Sequence, residues 1–260
     1  MYIQALASGS KGNSYLVGSD RTAFLVDQGL SALQLTRRLQ DAGMSPGELQ
    51  AIFVTHEHGD HIRGIRVLAA RHDIPVYASQ PLMSVLKEKG ALEGVKRLRV
   101  FEKGDTVQMG DLELQPFSVS HDAVDPVNYL VRYGDLQASI VTDLGFVSHL
   151  VREKVRACRW LYLESNHDLK MLRQGPYPLD LQRRIRGRQG HLSNEQALDL
   201  LEELLPGEML QGVSFIHLSE ENNDPSLLRD ELQSRLETMG KNINFEICTQ
   251  HSIAERRKIS

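Results

Sequence analysis

Directly after the apolar run Ala51-Ile52-Phe53-Val54, the chain places His56, His58, Asp60 and His61 within six residues. An apolar run bounded by polar residues reads as a buried strand, and the recurrence of Ile62, Ile65, Leu68 and Ala69 reads as a helix to about Arg71. The four side chains therefore fall where a strand ends and a helix begins, the end of a strand at which α/β folds bind ligands. Gly59 is expected to permit the tight turn that lets side chains on both sides of it converge. Three imidazoles and a carboxylate form a nitrogen/oxygen set suited to zinc, manganese or iron(II). Neighbouring side chains in so short a loop diverge, so two ions share such a set more readily than one holds all of it.

The rest of the chain has to build a scaffold around that loop. Its 260 residues, 41% hydrophobic and 25% charged, suffice for a sizeable core. A net charge of −4 argues against wholesale coating of nucleic acid while leaving room for a local basic patch. Cys158 and Cys248 are far apart and outside any C-x-x-C spacing, which argues against a disulfide framework and a thiolate metal site. There is no basic leader followed by a long apolar stretch, and no run approaches the ~18 residues of a membrane span. The expected location is cytoplasmic, with no membrane partner.

Residues 2–7, 15–17 and 22–26 read as strands in a hairpin-like opening. The intervening Ser8-Gly9-Ser10-Lys11-Gly12-Asn13 is either a plain turn or, through its N–H groups and Lys11, an anion cradle. Asp27 either caps a turn or supports a ligand histidine from behind. Ser31 caps a helix stopped by Gly43, and Pro81 suits the start of another after a strand at 74–78. From Leu98 to Val141, short alternating runs with Gly-Asp turns predict an antiparallel sheet. His121 and Asp143 each close a strand there, as the first cluster does. A helix over Val147–Val155 and a strand over Trp160–Leu163 lead to Glu164-Ser165-Asn166-His167-Asp168. Arg173, Arg183, Arg184, Arg186 and Arg188 follow, either as a phosphate track or as a solvated helix face. Ser193 with Gln196 forms a capping box for the next helix. A strand over Val213–Ile216 ends at His217. Asp224-Pro225 caps a further helix, and Ile243–Ile247 makes a last strand. No internal repeat is visible. The order suits one domain over 1–260, a four-layer αββα sandwich of two mixed β-sheets.

The ordered set His-x-His-x-Asp-His, then His121, Asp143 and His217, resembles the metallo-β-lactamase-fold hydrolases. The resemblance implies one metal on His56, His58 and His121, a second on Asp60, His61 and His217, and Asp143 bridging. Ser8-Gly9-Ser10, Asn13-Ser14, Glu164 to Asp168, Gly175-Pro176-Tyr177-Pro178 and Gly190-His191-Leu192-Ser193-Asn194 are similar to the YycJ/WalJ group, regarded as 5′-to-3′ exonuclease-like. In related nucleases a Glu and a His assist the leaving group, and Glu164 and His191 stand in matching order. His121 and Asp143 lie 22 positions apart, which leaves no room for a tRNA-gripping arm. Asp143 and His217 lie 74 positions apart, too few for a large inserted cap domain.

The expected chemistry is phosphodiester hydrolysis on nucleic acid, DNA rather than RNA, with a metal-bridging hydroxide as nucleophile. Asp60 would orient that hydroxide, and His191, steadied by Glu164, would act as general acid. Candidate substrate contacts are Asn13, His167, Arg184, Arg188, Ser219 and Asn222. His167 either faces the cleft or bonds a neighbouring carbonyl. The competing expectation is hydrolysis of a small ester, thioester, lactone or small phosphodiester at the same site, for which the Glu164–His191 pair and the arginines would be superfluous.

Overall fold

A strand buried along nearly its whole length needs cover on both faces, and the opening strands are of that kind. The computed structural model, which describes residues 1–260, pairs β1 (Tyr2–Ala7), β2 (Ser14–Gly18) and β3 (Ala23–Val26) antiparallel, with every residue except Tyr2 buried. β4 (Ile52–Phe53), β5 (Val76–Ser79) and β6 (Leu98–Phe101) extend this sheet in parallel. On its other edge, β14 (Arg257–Lys258) pairs antiparallel with β1.

The second sheet follows the same plan. β7 (Val107–Met109), β8 (Leu112–Ser118), β9 (Val127–Tyr133) and β10 (Leu136–Val141) run antiparallel. β11 (Trp160–Glu164), β12 (Gly212–Ile216) and β13 (Asn244–Ile247) then add in parallel. Each sheet thus has seven strands, with three antiparallel neighbour pairs followed by three parallel ones. Two expectations are corrected here. β6 belongs to the first sheet and lies parallel to β5, because the short alternating run at 98–101 is an edge strand and alternation alone carries no sheet assignment. Ile243–Ile247 is not the last strand, since a two-residue pairing as short as β14 leaves no periodic signal.

Alternation along the strands sorts the core into layers. Tyr15, Val17, Phe24 and Val26 face between the sheets, with Leu114, Tyr129, Ile140 and Tyr162 opposite them. Leu16 and Leu25 face outward, under the helices α1 (Ala32–Asp41), α3 (Ile65–His72) and α4 (Gln80–Glu88). On the other side α5 (His149–Val155), α8 (Asn194–Leu204) and α9 (Pro225–Met239) cover Leu161, Leu163, Val213 and Phe215. The result is the four-layer αββα sandwich. Two buried tyrosines stitch the sheets together, the Tyr129 hydroxyl donating to the Val54 carbonyl at 2.6 Å and that of Tyr162 to the Ile3 carbonyl at 2.8 Å. Both cysteines are free and buried, and no helix is long and apolar enough to cross a membrane.

Candidate metal centre

The chain leaves β4 through Thr55–Glu57, and His58, in extended backbone, is the N-cap residue of the short helix α2 (Gly59–Ile62). The helix expected to run from His61 to Arg71 is in fact broken, with α3 beginning only after Gly64. A β-carbon on Gly64 would strike the Gln28 side chain and the Leu30 carbonyl at 2.1 Å. Gly59 is not the glycine the loop depends on, since a β-carbon there would meet nothing within 4 Å. That position is Gly29, where the Asp60 carbonyl lies against the backbone and bonds the Asn13 N–H at 2.7 Å. Asp27, Asp143 and His217, which follow β3, β10 and β12, all have positive φ, at 60°, 51° and 56°. Such backbone strain in non-glycine residues is sustained only where the surroundings over-determine it, and it gathers at functional sites.

The structure brings all seven expected ligands together. His56, His58 and His121 form one group with donor atoms within 4.8 Å of one another, and Asp60, His61 and His217 form a second. Asp143 lies between them, with Oδ2 3.1 Å from His61 Nε2 and Oδ1 3.5 Å from His121 Nε2.

Hydrogen bonds behind the imidazoles decide which nitrogen faces inward. The Asp27 carboxylate stands 2.7 Å from His61 Nδ1, and the Gly190 carbonyl 3.0 Å from His121 Nδ1. Glu164 Oε1 is 2.8 Å from His217 Nδ1. The Thr55 hydroxyl donates to Asp27 Oδ2 at 2.8 Å, so its oxygen accepts from His56 Nδ1 at 2.9 Å. Each acceptor fixes the proton on Nδ1 and turns the Nε2 lone pair to the centre, the arrangement found behind metal-bound histidines. His56 Nε2 is buried with no hydrogen-bond partner at all. An orphaned imidazole nitrogen among carboxylates fits divalent cations, as does the nitrogen/oxygen donor set.

The electrostatics agree with that fit. Burial is the largest influence on each group and opposes its charge. It keeps His56 and His121 below the usual histidine range. For His61 the carboxylates of Asp143, Asp60 and Asp27 outweigh burial and raise its pKa well above 6.5. For His217, Asp143 above all, with Asp60 and Glu164, raises it to about 10. Asp60 and Asp143 lie far below the usual carboxylate range, held there by His61 and His217 against burial. Protons on His61 and His217 thus balance the acidic cluster, and cations bound there would displace them.

Glu164 is wholly buried and saturated. Oε1 lies 2.8 Å from Nδ1 of both His191 and His217, and Oε2 accepts from the N–H groups of Leu144 (2.8 Å) and Leu192 (3.1 Å). Burial raises its pKa, but His191 and His217 prevail and bring it to about 2, so it stays ionised. His191 lines a cleft of about 250 Å³ beside His58 and His121, with Ser219 on the rim.

The other expected substrate contacts divide. Asn13 is wholly buried, and its amide nitrogen holds Asp60 Oδ2 at 3.2 Å. The loop at 8–13 is a brace and not an open cradle. The N–H groups of Gly9, Lys11, Gly12 and Asn13 are all engaged within the protein, and Ser8 Oγ accepts the His217 N–H at 2.7 Å. His167 and Asn222 are buried with their polar side-chain atoms unpartnered, and His167 bonds no neighbouring carbonyl through its ring. Arg184 pairs with Asp122 at 2.7 Å and Arg188 lies 4.0 Å over the Phe146 ring. Both line a second groove that shares Asp122, Arg184 and Gln189 with the cleft. From the sequence alone, Thr55 and Tyr177 have no assigned role in the site. Thr55 simply follows the apolar run, and only its contact with Asp27 gives it a place.

A model of the β-lactamase superfamily domain matches residues 22–212. With this fold, the chain belongs to the metallo-β-lactamase superfamily. It is 35% identical over 249 residues to the exodeoxyribonuclease YycJ of Bacillus anthracis, covering 95% of this chain and 94% of that one. The exodeoxyribonuclease WalJ of Streptococcus pneumoniae is also 35% identical, over 93% of this chain and 91% of its own. Among solved structures, the metallo-β-lactamase fold protein YhfI of Bacillus subtilis superposes with a TM-score of 0.72 at 16% identity, covering 98% of this chain and 99% of that one.

Proposed function

We propose that this chain is a metal-dependent phosphodiesterase on nucleic acid, a 5′-to-3′ DNA exonuclease. The observation that carries the reading is His191 at the cleft wall with Nδ1 on the ionised Glu164, beside the seven converging donors. The relatives' description as exodeoxyribonucleases supports it. Two divalent cations, zinc or manganese, would be held by His56, His58 and His121 and by Asp60, His61 and His217, with Asp143 shared. Such ions, when bound, neutralise phosphate charge and bring the pKa of water into the neutral range.

The chain's own groups supply the rest. Asp60, one-fifth exposed, offers a carboxylate to orient the attacking water. His191 Nδ1 is committed to Glu164, so its Nε2 is the nitrogen free to protonate the departing oxygen. Glu164 stabilises the imidazolium before the transfer and holds the ring in place after it. Arg184 and Arg188, in the groove that continues the cleft, would guide the phosphate backbone without reading sequence.

Incubating metal-loaded protein with labelled single- and double-stranded DNA and RNA, with and without a 5′-phosphate, tests the reading. DNA shortened from its 5′ end is the expected result. Rapid thioester or lactone hydrolysis with all nucleic acids intact would overturn it. His191→Ala should keep its metal and slow cleavage roughly 10²–10⁴-fold; undiminished turnover would remove the acid role.

A further inference from the structure

The motif Gly175-Pro176-Tyr177-Pro178 has no part in the chemistry above, yet it borders the cleft. The apolar side chains there are Tyr177, Leu181 and Ile185. Leu181 and Ile185, four apart, share one face of α7 (Leu179–Ile185), and Tyr177, two residues before its start, lines the same cleft. None of the three belongs to the buried core clusters. His58, His121 and His191 line the same cleft.

The segment is built to hold the ring still. Prolines flank Tyr177, and the one that follows restricts it to extended backbone. Gln182, itself buried, donates to the Tyr177 carbonyl at 2.8 Å. At the other end of α7, the His191 N–H donates to the Ile185 carbonyl at 2.8 Å. A β-carbon on Gly190 would lie 2.0 Å from that same oxygen, so the helix end is packed hard against the segment that carries His191. The apolar wall and the proposed acid therefore move as one piece.

We propose that Tyr177, backed by Leu181 and Ile185, is a ledge on which the nucleobase of the nucleotide adjoining the cut phosphate stacks. The reading rests on the nuclease function proposed above. The cleft's lining joins imidazole donors to three apolar side chains, one of them aromatic, and a nucleotide has that same division into phosphate and base. At about 250 Å³ the cleft is below the ~300 Å³ lower end of ordinary ligand pockets. That is room for a single base swung out of its stack. Every base has a π-face, so the ledge would demand a base without choosing among the four.

The test uses metal-loaded full-length protein and an end-labelled DNA oligonucleotide, intact or with an abasic tetrahydrofuran residue at the terminal or penultimate position. The wild type should show a KM raised roughly five- to a hundredfold when one of these positions lacks its base. Tyr177→Ala should raise KM on intact DNA by a similar factor and cease to distinguish the substrates, while Tyr177→Phe keeps the distinction. Wild-type protein that cuts intact and abasic ends alike overturns the ledge while leaving the nuclease reading in place. So does a metal-replete Tyr177→Ala that discriminates as the wild type does. Should that variant misfold, the wild-type comparison still decides. A wild type that cuts no nucleic acid at all fails the earlier reading, and this one with it.

Discussion

A β-carbon on Gly29 would stand 1.6 Å from the backbone carbonyl oxygen of Asp60. The contact is main chain against main chain, so no rotamer change relieves it. It locks the turn after β3 to the loop that carries four of the seven converging side chains.

Gly29→Ala should therefore displace that loop, lose bound metal and cost at least ~3 kcal/mol of stability. Gly59→Ala, at a helix position with open space around it, should change stability by less than ~1 kcal/mol and keep its metal. Thermal melting with metal analysis of both variants checks the contrast. Equal behaviour would show that the loop tolerates displacement.

Asp27 accepts from the Thr55 N–H, the Thr55 hydroxyl and His61 Nδ1, at 2.8, 2.8 and 2.7 Å. Asp27→Asn should weaken metal binding roughly 10–100-fold without touching a donor atom, because the ring it holds loses its fixed tautomer. Competition against a chelator of known affinity measures this.

Glu164 supports two imidazoles at once. Glu164→Gln should lower both metal affinity and turnover, whereas His191→Ala lowers turnover alone. Adding His191→Ala to Glu164→Gln should cost less than either change predicts in sum, since the two share one interaction. Additive losses would separate the pair.

Protons and cations compete for His61 and His217. His217 is raised from 6.5 to about 10 in the metal-free protein, so its stabilising effect is complete below pH 6.5 and lost as pH rises through 10. Glu164 is lowered from 4.5 to about 2, so its contribution is complete above pH 4.5 and lost as pH falls through 2. Chelated protein should melt highest between about pH 4.5 and 6.5. The rise in Tm on adding zinc should grow from there toward pH 9. Calorimetric titration at neutral pH in buffers of different ionisation enthalpy should detect proton release as zinc binds. No release would mean that His61 and His217 are already neutral.

The site was largely legible in the sequence because each donor follows an apolar run, and strand ends at one edge of a sandwich are neighbours in space. What surrounds the donors was not. The Ser8–Asn13 loop looked like a turn or a cradle because its composition serves either, and only the approach of Asp60 and His217 makes it a brace. Gly59 drew attention by standing inside the motif, while Gly29, 27 residues from His56, matters through a contact that no local pattern encodes. β6 has the alternation of an edge strand in either sheet, and its partner β5 is a matter of topology. Tyr177 between two prolines reads as a loop residue until α7 carries it to the cleft.

The first sheet supplies His56, His58, Asp60 and His61, and the second supplies His121, Asp143 and His217. Cations held between them would act as a clasp across the join of two half-molecules. Stripping the ions should then loosen both margins of that join together, and amide exchange should quicken at Thr55–His61 and at Asp143 in step. The hydroxyl ties of Tyr129 and Tyr162, deeper in the sandwich, would stay shut.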